Sequence, residues 1–140
     1  MSHRFPVRVY YEDTDLAGIV YYANYLKFIE RARSECVREL GIDQRALKAA
    51  DGLVFAVRRI EADYLRPALF DDQLTVETTL AGLGGARLEM EQKVLRGEEA
   101  LFHARVVLVM LDSDGRPVRI PADIRRRLSL IGKNGAFVRR

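Results

Sequence analysis

The chain has 140 residues, of which 49% are hydrophobic and 31% charged, and its formal net charge is +3. This balance is typical of one globular domain with a real core. No apolar run reaches the roughly 18 residues of a membrane-spanning helix, and the N-terminus lacks the apolar segment of a secretory signal. A single cysteine, Cys36, excludes an internal disulfide. We therefore expect a cytoplasmic protein.

The first 41 residues predict a strand, an acidic turn and one long helix. A β-patterned run from Phe5 to Tyr11 leads into a turn that holds Asp13 and Asp15, where Gly18 lets the chain reverse. From about Asn24 the spacing of apolar residues becomes helical. The apolar stripe comprises Tyr25, Phe28, Ile29, Ala32, Cys36, Val37 and Leu40. Asn24 is a suitable N-cap and Gly41 a suitable C′ residue.

The remainder of the chain predicts a short helix and then an antiparallel sheet. A helix is expected over residues 42–50 with Asp43 as its cap. Alternating polar and apolar residues predict strands that begin near Val54, Leu74, Ala86 and Ala100, and the last of these is apolar on both faces, as an interior strand would be. Pro121 at N1 can start a helix through Leu130. The fold class is α+β, with the long helix covering one sheet face.

A carboxylate placed just ahead of a helix N-terminus suits acyl transfer to water. Free amides at that end can stabilise a developing oxyanion, and the carboxylate can act as nucleophile or as general base. The alternative is that Asp13 and Asp15 only cap a turn, as aspartate often does. Spacing alone does not separate these interpretations.

An ordered series of motifs runs from Val7 to Arg33: Tyr11-Glu12-Asp13-Thr14-Asp15, Gly18-Ile19-Val20-Tyr21-Tyr22, Asn24-Tyr25 and Phe28-x-Glu30-Arg31-Ala32-Arg33. This series resembles the signature of hotdog-fold acyl-CoA thioesterases. The nearest branch is the one associated with the Tol–Pal system, which is related to 4-hydroxybenzoyl-CoA thioesterase. A weaker likeness continues through Tyr64-Leu65-Arg66-Pro67-Ala68 to about Pro121. One departure is Tyr22, since the Tol–Pal branch often has histidine there and the hydroxybenzoyl branch tyrosine.

The resemblance implies a hotdog fold, an antiparallel sheet wrapped around one long central helix, over residues 1–130, with a basic tail over residues 131–140. It implies that Asp15 is the catalytic carboxylate and that the amide of Tyr22 polarises the thioester carbonyl. Asp13 is expected to be structural, and Glu30 is the rival catalyst. Expected substrate contacts are Gly18, Val20, Tyr21, Tyr25, Arg58 and Arg59, with Arg87 and Arg119 as further candidates for the phosphates of coenzyme A.

The expected activity is hydrolysis of short- to medium-chain acyl-CoA. An aromatic acyl-CoA thioesterase is the alternative that Tyr22 favours, and a non-catalytic module that binds acyl carrier protein or a membrane partner is a second one. The resemblance also implies a homodimer or homotetramer whose active site includes residues of the partner. No cofactor is expected beyond the coenzyme A of the substrate. No metal is expected, because His3 and His103 have no second ligand at a suitable spacing, and no nucleic-acid motif is present.

Overall fold

The structure is a computed structural model that describes residues 2–132. The elements of these residues are β1 His3–Arg8, the 3₁₀ turn Tyr11–Asp13, α1 Asn24–Glu39, α2 Gln44–Asp51, β2 Val54–Tyr64, β3 Gln73–Leu83, β4 Arg87–Arg96, β5 Glu99–Leu111 and α3 Ala122–Leu128. Within residues 2–132 the five strands form one antiparallel sheet in the order β1-β3-β4-β5-β2. The predicted order of one strand, a long helix and four further strands is confirmed.

The core lies between α1 and the sheet. The predicted apolar stripe of the helix is buried, and it packs mainly over β1, β3 and β4. These strands meet it with alternating buried side chains, such as Leu74, Val76 and Leu80 on β3. The helix ends as predicted, because Gly41 adopts φ +85° and its N–H donates to the carbonyl of Arg38.

Two predicted details are wrong. Asn24 is not the N-cap: Ala23 occupies that position without a capping side chain, and the Asn24 side chain donates to the carbonyl of Asp13 instead. Pro121 lies outside α3, at its cap position, and the helix ends at Leu128 rather than at Leu130. Just past residue 130, Ile131 is buried and Gly132 accepts a hydrogen bond from the amide of Leu80. The division between a domain over residues 1–130 and a tail over residues 131–140 stays a prediction, since residues 133–140 of that tail lie outside the described residues.

Strand β2 is one of the two edges of the sheet, opposite β1. Its alternation predicted an inward face through Ala62 and Tyr64, yet both residues are exposed. A bulge between Val57 and Arg59 shifts the register against β5. Because α1 packs mainly over β1, β3 and β4, the end of β2 near Tyr64 is covered only in part within residues 2–132. This open flank is where the candidate site forms.

Cys36 is a small buried hydrophobe, as predicted from its place on the apolar stripe. It is 1% exposed, and burial, assisted by the nearby Glu39 carboxylate, raises the pKa of its thiol to about 12. At neutral pH the reactive thiolate is therefore scarce and shielded from reagents.

We expect Cys36 in the folded protein to resist a chromogenic disulfide reagent at pH 7.5, and to react stoichiometrically once denaturant is added. Absorbance of the released thiol measures both states, and a free-cysteine peptide is the control. Labelling of the native protein at the rate of that peptide would contradict this burial.

Candidate active site

A groove of about 380 Å³ opens between the N-terminal end of α1 and the segment that follows β2. Its walls are mostly apolar or aromatic, with one carboxylate and one guanidinium. The lining residues are Asp15, Ile19, Val20, Tyr21, Tyr22, Tyr25, Tyr64, Leu65, Arg66 and Pro67. Such a mostly apolar cleft with a few convergent polar groups is typical of a small-molecule site.

The Asp15 carboxylate is held at the groove by its own loop. Its Oδ1 accepts the N–H of Ala17 at 2.9 Å, while its backbone carbonyl accepts the N–H of Gly18 at 2.9 Å. Gly18 adopts φ +81°, which any side chain would strain. The second carboxylate oxygen, Oδ2, has no hydrogen-bond partner among residues 2–132. One oxygen therefore orients the group, and the other remains available for chemistry.

A tight turn over residues 21–24 brings the chain into α1. The N–H of Asn24 donates to the carbonyl of Tyr21 at 2.8 Å and closes the turn. The Tyr21 N–H and the Asn24 side chain both donate to the carbonyl of Asp13 at 2.9 Å, which ties the turn to the Asp15 loop. Within the described residues the amides of Tyr22 and Ala23 have no acceptor. Free amides and the positive end of the helix dipole thus lie beside the groove.

Asp13 has the structural role that its place in the turn predicted. Its Oδ2 accepts the N–H of Tyr10 at 2.8 Å, and its carbonyl accepts the two donors from the helix turn. The Asp13 side chain does not line the groove. Only Asp15 of this carboxylate pair is therefore placed for chemistry there.

Aromatic rings form the floor and the far wall of the groove. Tyr25 is 3% exposed and stacks on Phe102, with ring centroids 5.0 Å apart, and its hydroxyl accepts the N–H of Ala68 at 3.0 Å. Burial raises the pKa of Tyr25. Tyr25, predicted to contact substrate, is thus a core side chain that also forms the floor of the groove. Tyr64 stands at the end of β2, and its hydroxyl donates to the carbonyl of Tyr22 at 3.0 Å.

The second wall of the groove, from Tyr64 to Pro67, was not among the predicted site residues. These residues appeared only as a weaker part of the resemblance, although the break at Arg66-Pro67 marked a strand end where function often lies. Arg66 is exposed at the groove and its Nε lies 3.1 Å from Glu99 Oε2. It is the one guanidinium among the lining residues.

Several residues predicted to contact substrate lie elsewhere in this chain. Arg58 and Arg59 are exposed on β2, with Arg59 bonded to Glu61 at 3.0 Å, and neither lines the groove. Gly18 shapes the Asp15 loop without lining the groove. The rival catalyst, Glu30, lines a separate cavity of about 180 Å³ with Arg33, and it accepts the Ser34 hydroxyl at 2.7 Å. The groove of a single chain thus joins Asp15 to Val20, Tyr21, Tyr22 and Tyr25 but not to these residues.

The candidates Arg87 and Arg119 are also outside the groove. The Nε of Arg87 lies 3.8 Å from Glu89, and the Arg119 guanidinium lies near Gly85. Among residues 2–132 no three His, Cys, Asp or Glu side chains gather as metal ligands. No helix of this part of the chain is long and apolar enough to cross a membrane.

The fold and the groove define a class of protein. Residues 9–128 match the model of the thioesterase-like superfamily, and the chain belongs to that family. Its sheet and central helix are those of the hotdog fold, which confirms the predicted fold class.

The chain is also similar to individual thioesterases of known sequence or structure. The acyl-CoA thioesterase YbgC of Haemophilus influenzae is 42% identical over 122 residues, covering 86% of this chain and 90% of that protein. The solved structure of a probable thioesterase from Bartonella henselae has 42% identity and a TM-score of 0.82, and the match covers 86% of this chain and all of that one (100%). A 4-hydroxybenzoyl CoA thioesterase mutant complexed with 4-hydroxybenzoyl CoA has 25% identity and a TM-score of 0.85, covering 91% and 99%.

Proposed function

We propose that this protein hydrolyses short- to medium-chain acyl-CoA thioesters to the free acid and coenzyme A. Thioester hydrolysis follows from membership of the family and from the YbgC relatives, and the acyl length is the part that remains a proposal. The observation that supports a site for this reaction is the shared groove, which is lined both by Asp15, with one carboxylate oxygen unbonded within residues 2–132, and by Tyr22 next to the start of α1.

In the proposed reaction, the thioester carbonyl lies between Asp15 and the Tyr22 amide. Asp15 takes a proton from water as the water oxygen bonds to the carbonyl carbon, or its carboxylate bonds to that carbon itself, and water opens the resulting anhydride after coenzyme A has left. The carbonyl oxygen gains negative charge, which the Tyr22 N–H and the helix end stabilise. The carbon–sulfur bond then breaks, and the coenzyme A thiolate leaves and is protonated.

The apolar walls suit an acyl chain, and the charged rim suits coenzyme A. Val20, Tyr21 and Tyr25 offer apolar surface beside the reacting carbon. Arg66 at the exposed rim is the nearest candidate for a phosphate contact. Arg58 and Arg59 contribute only if a second subunit brings them to this groove.

A homodimer is part of this proposal. The exposed edge strand β2 and the uncovered apolar surface beside it, which includes Val57, Tyr64 and Leu65, are features that proteins normally cover. Light scattering at micromolar concentration should give twice the 16.0 kDa chain mass, or four times for a tetramer. A particle of the mass of one chain would contradict the shared-site arrangement.

A thiol-release assay across butyryl-, octanoyl- and 4-hydroxybenzoyl-CoA tests the acyl preference. We expect the highest kcat/KM for an aliphatic substrate. The aromatic alternative is supported by the four tyrosines of the groove and by the 4-hydroxybenzoyl CoA complex of a structural neighbour. A dominant rate with the hydroxybenzoyl thioester would favour it, and no hydrolysis of any thioester would refute the proposed function.

A non-catalytic role with acyl carrier protein, or at the periphery of the inner membrane with the Tol–Pal system, is the second candidate. Exposed basic residues near the C-terminus would favour such a role, but Arg125 and Arg127 donate to backbone carbonyls of Gly84, Gly85 and Leu40. These guanidinium groups therefore form hydrogen bonds within the chain. Capture of acyl carrier protein that is lost at high salt would support the binding role, and a cytoplasmic location is proposed with either function.

A further inference from the structure

One contact crosses the groove and joins its two walls. The Tyr64 hydroxyl, at the end of β2, donates to the carbonyl of Tyr22 in the turn before α1, at 3.0 Å. Among residues 2–132 no other group donates to this carbonyl. The turn is fixed at Tyr21 and Asn24 by backbone bonds, so Tyr64 supplies the third point of attachment, at the residue whose amide faces the proposed oxyanion.

The Tyr64 ring is itself firmly supported. It packs edge-on against Tyr25 and Phe102, with centroids 5.5 and 5.0 Å away, and against Tyr22 at 6.2 Å. Tyr25 and Phe102 are buried core residues, so the phenol projects from a rigid base. Burial, and then the neighbouring Tyr22 and Tyr25, raise the pKa of Tyr64, so the phenol stays protonated and able to donate at neutral pH.

We propose that Tyr64 is a positioning residue, whose hydrogen bond to the Tyr22 carbonyl holds the turn that presents the free amides of Tyr22 and Ala23 to the thioester oxygen. The inference rests on the proposed function. A trans peptide is planar, so anchoring the Tyr22 carbonyl fixes the Ala23 N–H of the same peptide and restrains rotation about the Cα–C bond of Tyr22. The Tyr22 N–H lies in the preceding peptide, whose carbonyl the Asn24 N–H holds. An amide already aimed at the oxyanion needs no rearrangement when charge develops. Tyr64 therefore acts on the transition state more than on substrate binding.

Tyr64→Phe tests this, because it removes the hydroxyl and keeps the ring packing. We expect kcat to fall about 3- to 10-fold, the effect of one neutral hydrogen bond, with KM changed less than about twofold. In a ¹H–¹⁵N spectrum the Ala23 amide, which shares the peptide with the Tyr22 carbonyl, should move, while amides on β3 should not. The melting temperature should stay within about 2 °C of wild type.

Tyr11→Phe is the matched control, since that exposed hydroxyl lies outside the groove and its loss should leave kcat unchanged. Unchanged kcat in Tyr64→Phe, or a raised KM alone, would overturn the proposal, because Tyr64 would then be wall or substrate contact only. An unmoved Ala23 resonance would overturn it as well. If wild type hydrolysed no acyl-CoA, the proposed function would fail separately, and the spectrum would still report whether Tyr64 holds the turn.

Discussion

Replacing Asp15 with asparagine should lower kcat for acyl-CoA hydrolysis by about 10²- to 10⁴-fold, the contribution typical of a positioned acid–base group. Asparagine has the same shape, and its side-chain oxygen can still accept the Ala17 N–H that holds the loop. It cannot take a proton from water or act as a carboxylate nucleophile. KM and the melting temperature should therefore stay close to wild type, because the groove and its loop keep their structure.

Thiol release under saturating acyl-CoA measures this effect, and circular dichroism confirms the fold. Glu12→Gln is the matched control, because Glu12 is an exposed acid of the same segment that does not line the groove. Its kcat should stay within about twofold of wild type, as is usual for a surface substitution. Substantial turnover by purified Asp15→Asn would remove Asp15 from the mechanism and leave Glu30 as the acid to test next.

Isotope labelling tests whether this carboxylate acts as a nucleophile through an anhydride that water opens at the Asp15 carbon. In a single turnover in H₂¹⁸O, a general base delivers one labelled water oxygen to the released acid. A covalent anhydride opened at the Asp15 carbon leaves the acid unlabelled and puts the label on the enzyme. Mass spectrometry of the acid and of the peptide that contains Asp15 reads both outcomes.

Local sequence patterns predicted most of the helices and strands. The apolar stripe of α1 and the alternation of β3 and β4 each report one buried face, and these elements lie where that face is covered. Strand β2 has similar alternation, but its inward residues near Tyr64 are exposed. The alternation of polar and apolar residues predicts which side chains share a face of a strand. Whether that face is buried depends on how far α1 extends across the sheet. The sequence contains no local signal for that distance.

The two halves of the groove differ in the same way. The half from Asp15 to Tyr25 is contiguous in the chain, so one ordered motif predicts it. The other half, Tyr64 to Pro67, joins it only through contacts such as Tyr64 to Tyr22 and Ala68 to Val20. Asn24 illustrates the limit within the motif, since its side chain contacts Asp13 rather than capping α1. An asparagine side chain can either cap a helix or donate to a loop carbonyl, and the path of the loop before α1 decides which contact Asn24 makes.

A polar cluster beneath α1 should dominate the response of stability to mutation. Gln92, fully buried on β4, accepts from Arg33 Nη1 at 3.0 Å and donates to the carbonyl of Ile29 at 2.9 Å and to the Thr78 hydroxyl at 3.0 Å. Arg33 is 8% exposed and forms no ion pair with a described acidic residue, and burial lowers its pKa. Gln92 is thus the hydrogen-bond acceptor that a buried guanidinium depends on.

Gln92→Leu should lower the free energy of unfolding by about 2–4 kcal/mol, because it removes three hydrogen bonds and leaves Arg33 buried without an acceptor. Urea denaturation followed by circular dichroism measures the loss. The double variant Gln92→Leu/Arg33→Met should be more stable than Gln92→Leu alone, since no buried charge then lacks a partner. If the double variant lost the sum of both single effects, the two side chains would not be coupled. If Gln92→Leu stayed within about 0.5 kcal/mol of wild type, the cluster would not stabilise the contact between α1 and the sheet.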